Sequence, residues 1–198
     1  MIIPILGGIG TLIGLIRAWP QLAKLLQTRR ASGVSVDSAA TSAIVSFGWA
    51  SYGLMTGQIY VSLATGLSGT IFFLVTIFAL RFGRKYKEFK IAPIWLVILS
   101  LAGIIFGQDG LGIMLPISVL AANTPQLWVA HKEVDLTDLS LGTWLLSMAD
   151  GLVWGAYALI QGDTPIMAFA IFQLTTSAVI VALKQMHKTK ATLVRKSY

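Results

Sequence analysis

The sequence predicts an all-α integral membrane protein, with seven transmembrane helices arranged as two parallel three-helix bundles joined by a linker helix. Three observations predict this class. The 198 residues are 56% hydrophobic and 12% charged, which is roughly half the charge of a soluble domain. The basic residues are grouped on alternate connections between apolar runs. The chain also repeats part of its own sequence at a constant offset.

Seven apolar segments are long enough to cross a bilayer, which takes about 20 residues each. The connections between several of them are short and rich in turn residues, at 31–35, 56–58, 107–110 and 161–165. Short connections make consecutive helices antiparallel. The predicted spans are 2–26, 36–56, 59–80, 92–108, 110–130, 139–160 and 164–184.

The basic residues orient these spans. Fourteen of the fifteen Lys and Arg residues lie near the end of the first, third, fifth or seventh span or after it, and the connections at 56–58, 107–110 and 161–165 have none. The positive-inside rule makes the basic side cytoplasmic, so the amino terminus is expected outside and the carboxy terminus inside. The leading MIIPILGGIG has no basic residue, which favours a retained first helix over a cleaved signal peptide. Compactness and short loops favour a plasma membrane of the bacterial inner type.

Two halves of the chain match at an offset of 105 residues. Pro20, Gln21 and Leu22 align with Pro125, Gln126 and Leu127. In the same register Trp49 meets Trp154, and Tyr52 meets Tyr157. Ser35 meets Ser140 and Gly57 meets Gly162 without a gap. Pro, Trp and Tyr are uncommon enough that general hydrophobicity does not explain this match.

The repeat predicts the domain organisation. Both Pro-Gln pairs precede a cytoplasmic turn, so the two three-helix repeats have the same orientation. Three helices alone would invert the second copy, and the unrepeated segment 92–107 supplies the extra crossing. Parallel repeats with a substrate site at their interface are an established transporter design. The expected divisions are 1–82 (first repeat), 83–108 (basic loop and linker helix), 109–186 (second repeat) and 187–198 (basic cytoplasmic tail).

These residues resemble a known family. WPQLAKLLQTRRASGVS at 19–35, followed by WASYG at 49–53, is similar to the PQ-loop repeat of SWEET sugar transporters, their half-sized bacterial relatives and lysosomal amino-acid transporters. The second copy reads TPQL at 124–127 and WGAYAL at 154–159. The resemblance implies a SWEET-type fold. The pocket asparagines common in that family fall near Thr65 and Ala170, with Ser68 and Gln173 three residues further on.

The sequence does not contain the residue patterns that metal binding or catalysis requires. Cysteine is absent, and the two histidines, His131 and His187, have no metal-ligand spacing around them. No catalytic constellation is visible, so we expect neither an enzyme nor a cofactor or metal. The net charge of +7 reports membrane orientation, and no nucleic-acid partner is expected. The expected partners are a small solute and the lipid bilayer, with a homo-oligomer left open.

The Trp and Tyr pairs are the first candidates for solute binding. Trp49 and Trp154 lie deep in their predicted helices, where an indole offers a flat apolar face and one N–H donor. The alternative is a tryptophan that faces lipid or the core. Tyr52 and Tyr157 either line the same pocket or belong to an aromatic belt.

Asp150 is the most unusual residue of the second half. It shares a helical stripe with Trp154 and Tyr157, and its counterpart is Val45. A charged residue at mid-membrane carries a function or is paired. Arg17, whose counterpart is Ala122, is expected at a similar depth. The two either form an ion pair, or Asp150 titrates alone and couples protons to transport.

Other polar residues complete the candidate set. Asn123 adds a neutral donor and acceptor near the cytoplasmic gate, and Thr65, Ser68 and Gln173 join it as candidates for solute binding. Pro20 and Pro125 each remove a helical hydrogen bond and form either a hinge or a static kink. Gln21 and Gln126 either bond the freed carbonyls or pack between helices.

Together the residues and the resemblance imply facilitated, alternating-access transport of a small polar solute, a sugar first. The alternative is proton-coupled transport of an amino acid or another charged solute through Asp150. A second alternative is a PQ-loop receptor or scaffold that transports nothing.

Overall fold

The computed structural model describes residues 2–31, 34–132 and 141–196, and the regular secondary structure in these ranges is helical. A 3₁₀ turn at Tyr86–Glu88 precedes the fourth of six α-helices. The helices are α1 (Ile2–Thr28), α2 (Val36–Met55), α3 (Ile59–Arg81), α4 (Ala92–Lys132), α5 (Leu141–Gln161) and α6 (Thr164–Lys196). The last helix therefore extends beyond position 184, where the seventh predicted span ends.

The turns at the ends of α2 and α5 have the same geometry. Gly57 and Gly162 adopt φ values of 71° and 69°, a conformation that a glycine adopts without steric cost. After each glycine the backbone N–H bonds back to the last helical turn: Gln58 N to Gly53 O at 2.7 Å, and Asp163 N to Ala158 O at 3.1 Å. This is the Schellman type of helix end. The repeat seen in the sequence is therefore also a repeat of backbone conformation.

The fourth helix contains a sharp reversal at Gly107, whose φ of 58° and ψ of −137° are not helical. A Cβ atom at Gly48 of α2 would lie 2.8 Å from Leu115 and 3.3 Å from Leu99. A straight helix would hold those two leucines about 24 Å apart, so the chain turns back between them. The predicted spans 92–108 and 110–130 are thus two arms of one element.

Within the part of the chain that the structure describes, five helical segments are long and apolar enough to cross a membrane by length and composition. They are Ile2–Thr28, Ile59–Arg81, Ala92–Asn123, Leu141–Gln161 and Thr164–Met186. This set differs from the seven predicted spans in two ways: α2 is not among the five, and both arms of α4 fall in one segment. The number of crossings stays a prediction.

The described chain divides into two compact units, Met1–Leu115 and Pro116–Tyr198. In the first, α3 packs against both α1 and α2. One end of this unit is closed by an apolar cluster to which α1, α2 and α3 all contribute. The cluster contains Leu22, Leu25, Ala31, Val36, Ala39, Val75 and Ala79, with Phe82 and Phe89 packed on it. In the second unit α5 packs against α6.

The start of α4 is fixed to the start of α2 by one carboxylate. Asp37 Oδ1 accepts hydrogen bonds from the backbone N–H groups of Lys90, Ile91 and Ala92 at 3.0, 3.1 and 2.9 Å. An acidic group at a helix amino terminus satisfies amides that have no partner inside the helix. The linker helix is thereby held to the first repeat by a residue of that repeat.

Candidate functional site

Trp49 and Tyr52 form a buried aromatic pair in the first unit. The rings meet edge to face, with centroids 5.6 Å apart and planes at 87°, the geometry that aromatic quadrupoles favour. Their exposed fractions are 7% and 4%. Both rings lie inside the protein, because a spacing of three residues puts them on the face of α2 that is buried.

Trp154 and Tyr157 repeat this arrangement on α5. Their centroids are 5.4 Å apart with planes at 69°, and their exposed fractions are 7% and 0%. Gln161, one turn further on, donates from Nε2 to the Tyr157 hydroxyl at 3.4 Å. Each tryptophan is the fourteenth residue of its helix. The burial shows that neither indole faces lipid, which was one of the alternatives that the sequence left open.

A polar network connects α4 with α6 in the second unit. Asn123 Nδ2 donates to Thr176 Oγ1 at 2.8 Å and to Gln173 Oε1 at 3.3 Å. Thr176 in turn donates to the carbonyl of Phe172 at 2.8 Å. Gln173 and Thr176 are buried. The structure therefore brings two candidates, Asn123 and Gln173, into direct contact and adds Thr176 to them.

Asp150 is buried on the same face of α5 as the aromatic pair, with 5% exposure. The next residue, Gly151, packs against α6: a Cβ atom there would lie 2.9 Å from Leu174 and 3.3 Å from the carbonyl of Ala170. Gln173 directly precedes Leu174 in α6. Asp150 and Gln173 therefore lie at the same level of the second unit.

The polar residues of the second repeat have mostly apolar counterparts in the first. At the offset of 105, Asn123, Asp150 and Thr176 correspond to Ala18, Val45 and Ile71, and Gln173 corresponds to Ser68. Ala18 is fully buried. The two halves thus share the aromatic pair but differ in polarity at these positions.

Thr65, Ser68 and Ala170 make local contacts, and a solute-binding role for Thr65 and Ser68 stays a prediction. The Thr65 hydroxyl donates to the carbonyl of Val61 at 2.7 Å. Ser68 is buried against α1, where a Cβ atom on Gly14 would lie 2.7 Å from its Oγ. The Ala170 methyl lies 3.2 Å from the Cβ position of Gly155. Ala170 is therefore part of the contact between α5 and α6.

The structure describes the side chains of the gate candidates in the first repeat, but not those in the second. Pro20 and Gln21 are exposed residues inside α1. Pro125 and Gln126 lie in α4, but their side chains are outside the described part of the chain. Arg17 is exposed and belongs to the first unit, whereas Asp150 belongs to the second. Their pairing stays a prediction.

Two residues were missed from the sequence. Thr176 could have been found in the same way as Asp150, because it is a polar residue whose counterpart in the first half is apolar. The same comparison sets Asp37 against Gly142. Nothing in the sequence indicates that this carboxylate reaches the start of α4, because its partners lie 53 to 55 positions away.

Long apolar helices, equivalent turns and equivalent buried aromatic pairs define the class: an integral, multi-pass helical membrane protein with an internal repeat. The fold is of the SWEET type. The structure is similar to that of a eukaryotic SWEET transporter solved at 3.7 Å resolution, with a TM-score of 0.73 and 14% sequence identity. The match covers 96% of this chain and 100% of the other. No protein-family model and no curated protein sequence matches the chain.

Proposed function

We propose that this protein is a membrane transporter of a small polar solute, with a sugar as the first candidate. The observation that carries the proposal is the buried Trp–Tyr pair that occurs in both repeats with nearly the same geometry. The similar structure is named as a transporter, which supports the same function. No enzymatic step is part of the proposal.

The chemistry of these residues suits a sugar. An indole face packs against the C–H groups of a pyranose ring, and the indole N–H can donate to a hydroxyl. The amides of Asn123 and Gln173 can each donate and accept. An uncharged, hydroxyl-rich solute needs both capacities, because its hydroxyl groups lose water when they enter an apolar surrounding.

Transport is proposed to be facilitated and to follow an alternating-access cycle through seven crossings. Both arms of α4 and α2 would cross in addition to α1, α3, α5 and α6, with the amino terminus outside and the carboxy terminus in the cytoplasm of a bacterium. The distribution of basic residues supports this topology. Pro20 and Pro125, with Gln21 and Gln126, are proposed as the hinges.

Counterflow tests the sugar proposal. The purified full chain in liposomes, preloaded with unlabelled hexose, is expected to accumulate labelled hexose transiently. Trp154→Ala should reduce the initial rate at least tenfold, since it removes the flat face that a sugar ring requires. Trp95→Ala is the matched control, because Trp95 lies in the linker arm and has no counterpart in the repeat. Equal rates in the two variants would contradict the role of the aromatic pair.

The alternative substrate is a charged solute moved with protons, and the observation that favours it is the burial of Asp150, a carboxylate, inside the second unit. An amino acid would then enter faster under an inward proton gradient, and Asp150→Asn would abolish that acceleration. Asp109→Asn is the control, because Asp109 is exposed in the turn at 107–110. Hexose counterflow that is unaffected by Asp150→Asn and by pH would exclude this alternative.

The receptor or scaffold alternative predicts neither kind of flux. A chain that folds in liposomes, binds a peptide specifically and moves no hexose or amino acid would replace transport as the function.

A further inference from the structure

One end of the first unit carries a ring of exposed cations, here called the basic rim: Arg29, Arg30, Arg81, Lys85, Lys87 and Lys90. The apolar cluster that closes this end of the unit holds the rim together. Leu25 precedes Arg29 and Arg30, Ala79 precedes Arg81, and Phe89 lies between Lys87 and Lys90. Asp37 further fixes the backbone at Lys90. Segments that are distant in sequence therefore present their cations on the same end.

Arg29 occupies a strained position in this rim. Its φ is 49°, and it is the only described non-glycine residue with a positive φ. It follows the end of α1, and its N–H bonds to the carbonyl of Leu25 at 2.9 Å. Glycine is the usual residue at such a helix end, and this chain uses glycine at Gly57, Gly83 and Gly162. An arginine in this conformation lowers the free energy of unfolding relative to a glycine, because its Cβ atom lies close to a carbonyl oxygen.

The second copy of the repeat has no cations at the positions equivalent to Arg29 and Arg30. At the offset of 105, the second copy has Val134 and Asp135 where the first has Arg29 and Arg30. A cation that is kept on strained backbone in one repeat and is absent from the other is an indication of function.

The surface beside the rim is apolar. Leu26 on α1 is 42% exposed, and Ile91 and Ile94 at the start of α4 are 52% and 59% exposed. Tyr86, within the 3₁₀ turn, is 76% exposed. An apolar surface that ends in arginines, lysines and an exposed tyrosine matches the boundary between acyl chains and headgroups.

We propose that the basic rim binds the headgroup of an anionic phospholipid, with Arg29 as its principal ligand. The guanidinium group suits a phosphate because its planar fork donates two parallel hydrogen bonds. The occupant is a lipid rather than a soluble anion, because the exposed Leu26 and Ile91 would hold its acyl chains. The proposal depends on the membrane location of the chain and not on which solute it carries.

Thermal unfolding tests the site. The full chain, purified in a neutral detergent, is titrated with dioleoylphosphatidylglycerol, and the rise in Tm reports binding to the folded state. Dioleoylphosphatidylcholine and glycerol 3-phosphate are the comparison ligands. Phosphatidylglycerol is expected to raise Tm saturably, and the other two are expected to leave it unchanged.

The informative variant is Arg29→Gly. It should raise Tm in detergent alone, because the strain is removed, and it should raise the half-saturating concentration of phosphatidylglycerol about fivefold. Arg29→Lys keeps the charge and should retain most of the lipid effect. Lys184→Gln removes one cation from α6 and should leave the half-saturating concentration unchanged.

Four results would overturn the proposal. An unchanged lipid response in Arg29→Gly would show that Arg29 does not bind the headgroup. An equal effect of Lys184→Gln would indicate general charge attraction. An equal response to phosphatidylcholine would remove headgroup charge as the cause. A response to glycerol 3-phosphate alone would indicate a site for small anions.

Discussion

Gly57 and Gly162 show at the scale of single residues that the two repeats have the same backbone. Both follow the helix that carries the Trp–Tyr pair, and beyond its immediate chain neighbours neither has a heavy atom within 4 Å of its Cβ position. Their conservation between the repeats is therefore a matter of backbone conformation and not of space.

Substitution of either glycine by alanine should cost roughly 1 to 2 kcal/mol of stability, because a left-handed conformation brings a Cβ atom close to the carbonyl oxygen. The costs of Gly57→Ala and Gly162→Ala should be similar, since their φ values differ by 2°. Thermal unfolding in detergent measures both. Gly8→Ala is the control: Gly8 is helical with open space at its Cβ position, and the change should stabilise by about 0.5 to 1 kcal/mol. A loss in Gly8→Ala equal to that in the other two would contradict the conformational explanation.

The aromatic pairs mark the limit of prediction at this scale. The spacing Trp-x-x-Tyr indicates that both rings share a helix face. It does not indicate whether that face is turned to protein or to lipid. In uniformly apolar helices both faces have similar hydrophobicity, because lipid is as apolar as a protein core.

At the scale of helices, the Asp37 carboxylate is the contact that positions the linker. Asp37→Ala would leave the amides of Lys90, Ile91 and Ala92 without their acceptor. The loss of a helix cap costs about 1 to 2 kcal/mol, so Tm should fall. Asp109→Ala, at an exposed position of the turn at 107–110, should change Tm little. If the two variants have equal Tm values, the contact with α4 does not contribute to stability.

Both repeats have a close contact at equivalent positions of two paired helices. The glycine of that contact lies on the second of the two helices in the first repeat, and on the first of the two in the second repeat. In the first unit Gly69 of α3 faces Ser46 and Phe47 of α2, at 3.1 to 3.2 Å from its Cβ position. In the second unit Gly151 of α5 faces Leu174 of α6 at 2.9 Å. Ser46 and Gly69 are the counterparts of Gly151 and Leu174. One of the two facing positions is glycine in each repeat, and the larger partner lies on the opposite helix.

This exchange predicts a coupled pair of substitutions. Gly151→Ala should destabilise by about 1 to 3 kcal/mol, because the added methyl group overlaps Leu174. Combined with Leu174→Ala, it should cost less than the sum of the two single changes, by at least about 0.5 kcal/mol. Gly66→Ala, whose Cβ position is 3.8 Å from Ala50, is the control with an ordinary contact. Additive losses in the double variant would show that the two positions do not share this contact.

At the scale of the whole molecule, the proposed topology can be tested directly because the chain has no cysteine. Single cysteines at Asp109 and Gln161 should react with a membrane-impermeant maleimide in intact cells. A cysteine at Lys87 should react only after the membrane is permeabilised. All three positions are exposed, so differences in labelling report the side of the membrane. Labelling of Lys87→Cys in intact cells would contradict the orientation derived from the basic residues.

The sequence by itself determined the helical membrane class, the repeat and the glycine turns. These depend on local properties: apolar length, the order of rare residue types, and the conformations open to glycine. The resemblance carried by Pro-Gln and Trp-x-x-Tyr is confirmed at the level of the fold by a SWEET transporter structure of 14% identity.

Only the tertiary structure decided which residues meet. Asn123 reaches Gln173 and Thr176 across 50 and 53 positions, and Asp37 reaches the start of α4 across a similar distance in sequence. The reversal at Gly107 likewise brings Leu99 and Leu115 to the same glycine of α2. Such contacts depend on which faces of apolar helices pack together. Helix packing in a membrane depends on shape and hydrogen bonding rather than on hydrophobicity. The order of apolar residues along the chain therefore does not predict which helix faces meet.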